Sequence, residues 1–219
     1  MAKVRLFFSL LSVTFSSTLS WAQYTSIDWE SRDKWMKTQT LLDVAQLSSG
    51  QVVADIGCHE GYLTMHLARR VAADGRVYAV DIREDRLASL RENANSRNLS
   101  NIITILGDED NPKLPEGALD CVFVIDTYHE ITAYKKVLNQ IRKALKPGGQ
   151  IMVLEKLKKR IIGKSREEQV AAHSLAMSYV ERELQQAGFT IVTKIENHGF
   201  WENQEDKQMW ILLAKKTIQ

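Results

Sequence analysis

The chain has 219 residues, 44% hydrophobic and 26% charged, which fits one globular domain and excludes a fibrous or disordered polymer. Its formal charge of +2 gives no basic footprint of the kind a nucleic-acid binder carries.

At the N-terminus, Lys3 and Arg5 precede the apolar run Leu6–Val13, and a Ser/Thr-rich stretch ends with Ser20 and Ala22 at the −3 and −1 positions. This arrangement matches a secretory signal peptide over residues 1–22, with an exported (periplasmic or secreted) mature chain; the competing reading is an N-terminal arm on a cytoplasmic enzyme. The apolar run is well short of the ~20 residues needed to span a bilayer. Cleavage after Ala22 would remove two of the 29 basic residues and leave 27, equal to the 27 acidic ones. Residues 23–219 then read as a single domain, a helical cap over 23–50 and an α/β core over 51–219.

A helical pattern covers Ser26–Leu47, with Trp29, Trp35, Met36, Leu41, Leu42, Val44 and Leu47 as its apolar positions, and Gly50 ends it. Strand-like runs follow at Val52–Ile56, Arg76–Asp81, Ile102–Leu106, Cys121–Asp126 and Gln150–Glu155. Helical runs separate them at Tyr62–Val71, Arg83–Arg97 and Ala133–Leu145. Alternating strands and helices indicate right-handed βαβ units and a parallel sheet. Asp74-Gly75 and Pro147-Gly148-Gly149 are turn signals just before strands. After the basic loop Lys156–Lys164, Ser165 and Glu168 form a capping-box pattern opening one long helix to Ala187, with His173 on its apolar face. Phe189–Ile195 and Met209–Ala214 close the chain as an antiparallel pair. The expected fold is a Rossmann-like, seven-stranded, mostly parallel sheet with helices on both faces and a C-terminal antiparallel hairpin. Cys58 and Cys121 fall at opposite ends of neighbouring strands, too far apart for a disulfide, and read as packing residues.

The stretch Val52–Thr64 organises this arrangement. An apolar strand ends at Asp55, turns through Gly57 and Gly61, and enters a helix, which is the geometry that sets a nucleotide-type ligand against a helix N-terminus. Asp55, Asp81 and Asp108 end the first three strands, so parallel pairing puts all three on the ligand-binding edge. An acid in the place of Asp81 can accept both hydroxyls of a ribose, and Asp108 can accept from an adenine amino group. The glycine spacing is not Gly-x-Gly-x-x-Gly, which disfavours a nicotinamide dinucleotide.

These residues, with Leu119–Asp126 and Lys146-Pro147-Gly148-Gly149, resemble the class I S-adenosylmethionine-dependent methyltransferases from about Asp33 to the C-terminus. The resemblance implies S-adenosylmethionine as cofactor. Gly57 and Gly61 would lie near its methionine portion, Asp81 on the ribose and Asp108 near the adenine, with Asp55 and Asp126 at the same edge. Arg32-Asp33-Lys34-Trp35, Gly107–Pro112 and Tyr128-His129-Glu130 are similar to a bacterial group with exported-type leaders. His59 stands where the family's loop usually has its middle glycine, where a side chain either crowds the cofactor or hydrogen-bonds its carboxylate.

Asp126-Thr127-Tyr128-His129-Glu130 follows the fourth strand and, in this architecture, faces the methyl group. The sulfonium is already activated, so the protein's work is in-line alignment and exclusion of water, with a base only where the acceptor carries a proton. His129 is the candidate base, and Tyr128 and Glu130 are candidates for positioning the acceptor; alternatively His129 is a loop residue and Glu130 an acid at a helix N-terminus. His59, His129 and His173 have no spacing that signals a metal, and no metal is expected. The expected partner is a small-molecule or peptide-like substrate.

Overall fold

The computed structural model describes residues 26–217; the leader expected over residues 1–22 lies outside them. The chain order is α1 (Ser26–Met36), α2 (Thr38–Val44), β1 (Val52–Ile56), α3 (Tyr62–Val71), β2 (Arg76–Asp81), α4 (Glu84–Ser96), β3 (Ile102–Leu106) and β4 (Leu119–Ile125). It continues through α5 (Tyr134–Ala144), β5 (Leu145–Lys158), α6 (Arg166–Ala171), α7 (Met177–Gln186), β6 (Phe189–Phe200) and β7 (Lys207–Lys216).

One seven-stranded sheet has the order β3-β2-β1-β4-β5-β7-β6. The first five strands are parallel, and β7 inserts antiparallel between β5 and β6. This is the expected fold class. Adjacent residues of the central strands feed opposite cores, as the period of two requires. Cys121, Phe123 and Ile125 of β4 pack with the side carrying α1–α4, while Val122 and Val124 pack with the side carrying α5 and α7. Burial on both faces explains the unbroken apolar runs of β1, β4 and β5. The edge strand β6 instead alternates, because one of its faces is largely solvated.

Cys58 and Cys121 are both buried and free. The expected first helix is two, broken at Lys37, whose φ is 49°. Asp126 lies one residue beyond β4, with φ 54°, and its N–H donates to Leu154 O at 2.8 Å.

The expected long helix from Ser165 to Ala187 does not form. The capping box is present, but α6 ends at Ala171 and α7 begins at Met177. Between them the chain docks onto β5. Leu175 N–H donates to Lys156 O (3.0 Å), Ser174 Oγ donates to the same carbonyl (2.8 Å) and accepts from Lys158 N–H (2.9 Å), and Trp210 Nε1 donates to Leu175 O (2.9 Å). A continuous helix spends its main-chain groups internally and offers none to a strand. His173 is therefore not on a buried helical face: it sits in the break, 72% exposed, with φ 50°.

Ser174 is fully buried and both of its hydrogen bonds hold this break, whereas Ser178 is exposed on α7. Ser174→Ala is expected to destabilise the protein by about 1–3 kcal/mol, and Ser178→Ala by less than about 0.5 kcal/mol. Urea unfolding with an unchanged m-value checks the difference.

Candidate active site

The glycine-bearing turn leaves the C-terminal end of β1 and meets α3 at Gly61. Gly57 has φ 74°, and a Cβ on it would fall 2.3 Å from Thr127 Cγ2, so the turn after β4 lies directly against this loop. His59 also has a positive φ, 50°, where a non-glycine residue is uncommon. Its N–H donates to Asp81 Oδ2 (2.9 Å), while Asp81 Oδ1 accepts from Arg83 N–H (3.0 Å). Asp81 thus braces the loop and the start of α4, and each carboxylate oxygen retains acceptor capacity for a ligand. Burial, then the charge of Arg86, lowers the His59 pKa, so its imidazole is neutral at pH 7.

A cleft opens over this loop, its lining including Trp29, Arg32, Asp55, Gly57, His59, Tyr62 and Ile125. Asp55 is buried and accepts from Thr64 Oγ1 (2.6 Å); burial pushes its pKa up to about 6, against the pull of Thr64 and Arg32. The Arg32 guanidinium lies over the Tyr62 ring at 4.1 Å from its centroid, and the Tyr62 hydroxyl donates to Asp33. The Arg32-Asp33-x-Trp35 segment is thus the clasp between α1 and α3. Asp108, at the end of β3, is exposed and paired with Lys113 (2.8 Å).

A second cluster lies just past the end of β4, beside Glu155 and Lys156 of β5. Glu155, with no solvent exposure, accepts His129 N–H at Oε1 (3.0 Å), and His129 Nδ1 lies 2.9 and 3.0 Å from its two oxygens. A carboxylate accepts only, so Nδ1 carries the proton, and Nε2 of this buried ring lies 3.8 Å from Glu130 Oε1. Burial lowers the His129 pKa, but the bond and charge of Glu155 and the charge of Asp126 outweigh it, and the net direction is up. Asp126 pairs with Lys156, whose ammonium lies 4.6 Å from the Trp201 ring centroid. Burial raises the Asp126 pKa to about 6 although Lys156 opposes it.

Of the expected site residues, Asp55, Gly57, His59, Gly61 and Asp81 gather at the β1–β2 edge, Asp108 flanks them, and Asp126, His129 and Glu130 gather beside β4. Tyr128 departs from expectation. It is buried and its hydroxyl donates to Glu183 (2.9 Å), which also holds Arg166, so it pins α7 to the turn rather than reaching an acceptor. His59 does not join His129 and His173, whose rings meet edge to face at 5.8 Å. Glu155 and Lys156 were missed as site residues. Glu155 follows the apolar run Met152–Leu154 just as Asp81 follows Val80, so an acid closing a buried apolar run was the available signal.

Residues 47–212 match a family described as a methyltransferase domain. The ubiquinone/menaquinone biosynthesis C-methyltransferase of Escherichia fergusonii is 30% identical over 115 residues, which are 52% of this chain and 46% of that one; the chain thus matches about half the length of such relatives. A solved SAM-dependent methyltransferase from Aquifex aeolicus superposes with a TM-score of 0.73 at 22% identity, over 87% of this chain and 95% of that one. The [4+2]-cyclase SpnF superposes with a TM-score of 0.70 at 18% identity, over 84% and 82% of the two chains. At these identities the solved structures share the fold.

The Glu155–His129 pair makes a pH prediction. Because the folded pKa is raised, the pair's stabilisation is fully present below the unfolded value of about 6.5 and is lost as pH rises through the higher folded value. NMR titration of metal-free protein is expected to put the His129 midpoint above 6.5. In Glu155→Gln burial is left to dominate, and the midpoint is expected to fall below that of the wild type.

Proposed function

We propose that this chain, which belongs to the methyltransferase-domain family, transfers the methyl group of S-adenosylmethionine to a small-molecule or peptide-like acceptor. The observation that carries the reading is the shared edge of β1 and β2, where the Gly57–Gly61 loop and the Asp81 carboxylate lie beside a cleft reaching Asp55. Glycines there admit a close ligand backbone, and an acid ending the second strand suits a ribose. Asp108 is the candidate for the adenine end. His59 lines the same cleft, so a cofactor carboxylate bound there would meet backbone N–H groups and a neutral imidazole.

His129 is the proposed general base. With Nδ1–H held by Glu155, Nε2 is free to accept the acceptor's proton as the methyl leaves sulfur in line for the acceptor atom. S-adenosylhomocysteine and the protonated imidazole are the products of that step. Glu130, exposed beside Nε2, is the candidate for orienting a cationic or hydroxyl-bearing acceptor. We also propose that residues 1–22 direct export, which mass spectrometry of the native N-terminus tests: an intact Met1 or Ala2 rules out processing.

The fold alone does not carry methyl transfer, since folds of this shape host other chemistry. A non-catalytic, exported ligand-binding domain is the rival, and calorimetry separates the two. The proposed function requires binding of both S-adenosylmethionine and S-adenosylhomocysteine, and failure to bind either would end it. Asp81→Asn keeps one acceptor for His59 N–H but loses the charge, and is expected to weaken both ligands by about tenfold or more, the loss of a charge-assisted bond worth ~1.5–3 kcal/mol. With an acceptor in hand, His129→Gln is expected to lower turnover by about 10²–10⁴-fold while cofactor affinity holds.

A further inference from the structure

We infer that His129, Glu130 and His173 form a binding site for a single first-row divalent cation of the Zn²⁺ type. The three come from two places in the chain, the turn after β4 and the break between α6 and α7. His129 Nε2 lies 3.8 Å from Glu130 Oε1, and His173 Nδ1 lies 3.9 Å from the same oxygen. All three candidate ligand atoms fall within 4.8 Å of one another. These separations are too long for hydrogen bonds. They are close to what three ligands adopt around one ion: at roughly 2.0–2.1 Å from a tetrahedral centre, ligand atoms stand about 3.4 Å apart. Rotation of the exposed Glu130 and His173 side chains, 63% and 72% exposed, closes the remaining difference.

Two further features point to a ligand. The buried Glu155 carboxylate fixes the His129 tautomer and leaves Nε2 toward the exposed Glu130, the carboxylate–histidine arrangement that orients and strengthens a metal-bound imidazole. His173 is held with φ 50° by its N–H bond to Val170 O and by the anchored Ser174 and Leu175 that follow it. Two imidazoles and one carboxylate favour a borderline ion over Mg²⁺ or Ca²⁺, which prefer oxygen ligands. The neighbouring trio of Asp126, His129 and Glu155 is less suited, because Nδ1 and both Glu155 oxygens bond each other and Lys156 occupies Asp126.

Three protein ligands leave at least one coordination position for water or an acceptor oxygen. A cation on Nε2 excludes a proton from it; in the loaded protein the ion would instead lower the pKa of a coordinated acceptor hydroxyl, whose proton would pass to solvent, and hold the resulting oxygen anion. Only this last link rests on the methyl-transfer reading; metal binding is measured without cofactor or acceptor, so the two can fail separately.

The test uses untagged, chelator-stripped protein titrated with Zn²⁺ by calorimetry and with Co²⁺ by visible absorption. One equivalent is expected to bind, with Co²⁺ ligand-field bands absent from the aqueous ion. His173→Ala and Glu130→Ala alter exposed side chains and are expected to fold normally, each weakening binding by about 100-fold or more; Glu155→Gln is expected to weaken it by about 10–100-fold. No stoichiometric binding to the wild type, or equal binding by the His173→Ala/Glu130→Ala double variant, overturns the assignment.

Discussion

A carboxylate sealed from solvent has to be answered by its neighbours, and much of the active edge is arranged to answer Glu155. Burying such a charge unpaired would cost several kcal/mol. The backbone N–H and Nδ1 of His129 both point at it, which fixes the main chain after β4 as well as the imidazole. The turn reaches that position only because Asp126 takes a left-handed conformation immediately after the strand. The next residue on β5, Lys156, leaves the strand on the opposite face and meets Asp126 and the Trp201 ring. Two successive residues of one strand therefore hold the turn from both sides.

The fold was legible because its signals are local and repeated. β1, β2 and β3 have the boundaries that their apolar runs predict, since flanking glycines and aspartates stop them sharply. The placing of the candidate loop was legible for the same reason: Asp55, Gly57, Gly61 and Asp81 lie at the β1–β2 edge through strand-end position alone. The break at Ala172–Ala176 was not. The residues Val170, Met177, Val180 and Leu184 carry a helical period through it, and what interrupts the helix is a set of hydrogen bonds to β5. Such a partner is invisible to periodicity. Tyr128 failed similarly: adjacent to His129 in sequence, it turns to Glu183, 55 residues away.

Strain is spread along the same edge. His59, Asp126 and His173 all have φ between 50° and 54° without being glycine. Each is held by a main-chain bond of its own: His59 N–H to Asp81, Asp126 N–H to Leu154 O, and His173 N–H to Val170 O. Such conformations cost of order 1–3 kcal/mol each and persist where the surroundings over-determine them. The sheet supplies that determination, and the loops it restrains carry the candidate site residues.

The clasp over the cleft joins the two ends of the described chain. Arg32 and Trp35 of α1 meet Trp201, between β6 and β7, with the two tryptophan ring centroids 4.7 Å apart, and His198 Nε2 reaches Met36 O at 2.7 Å. About 165 residues therefore separate partners in one contact, and closing so long a loop must precede any gain from it. During synthesis, β1–β4 and the glycine loop can emerge and pair while Arg32 and Trp35 still lack Trp201. Every described residue that lines the cleft lies between Trp29 and Ile125, so the contact with Trp201 is added to a lining already present in the chain, and it fixes α1 against the sheet rather than supplying a wall.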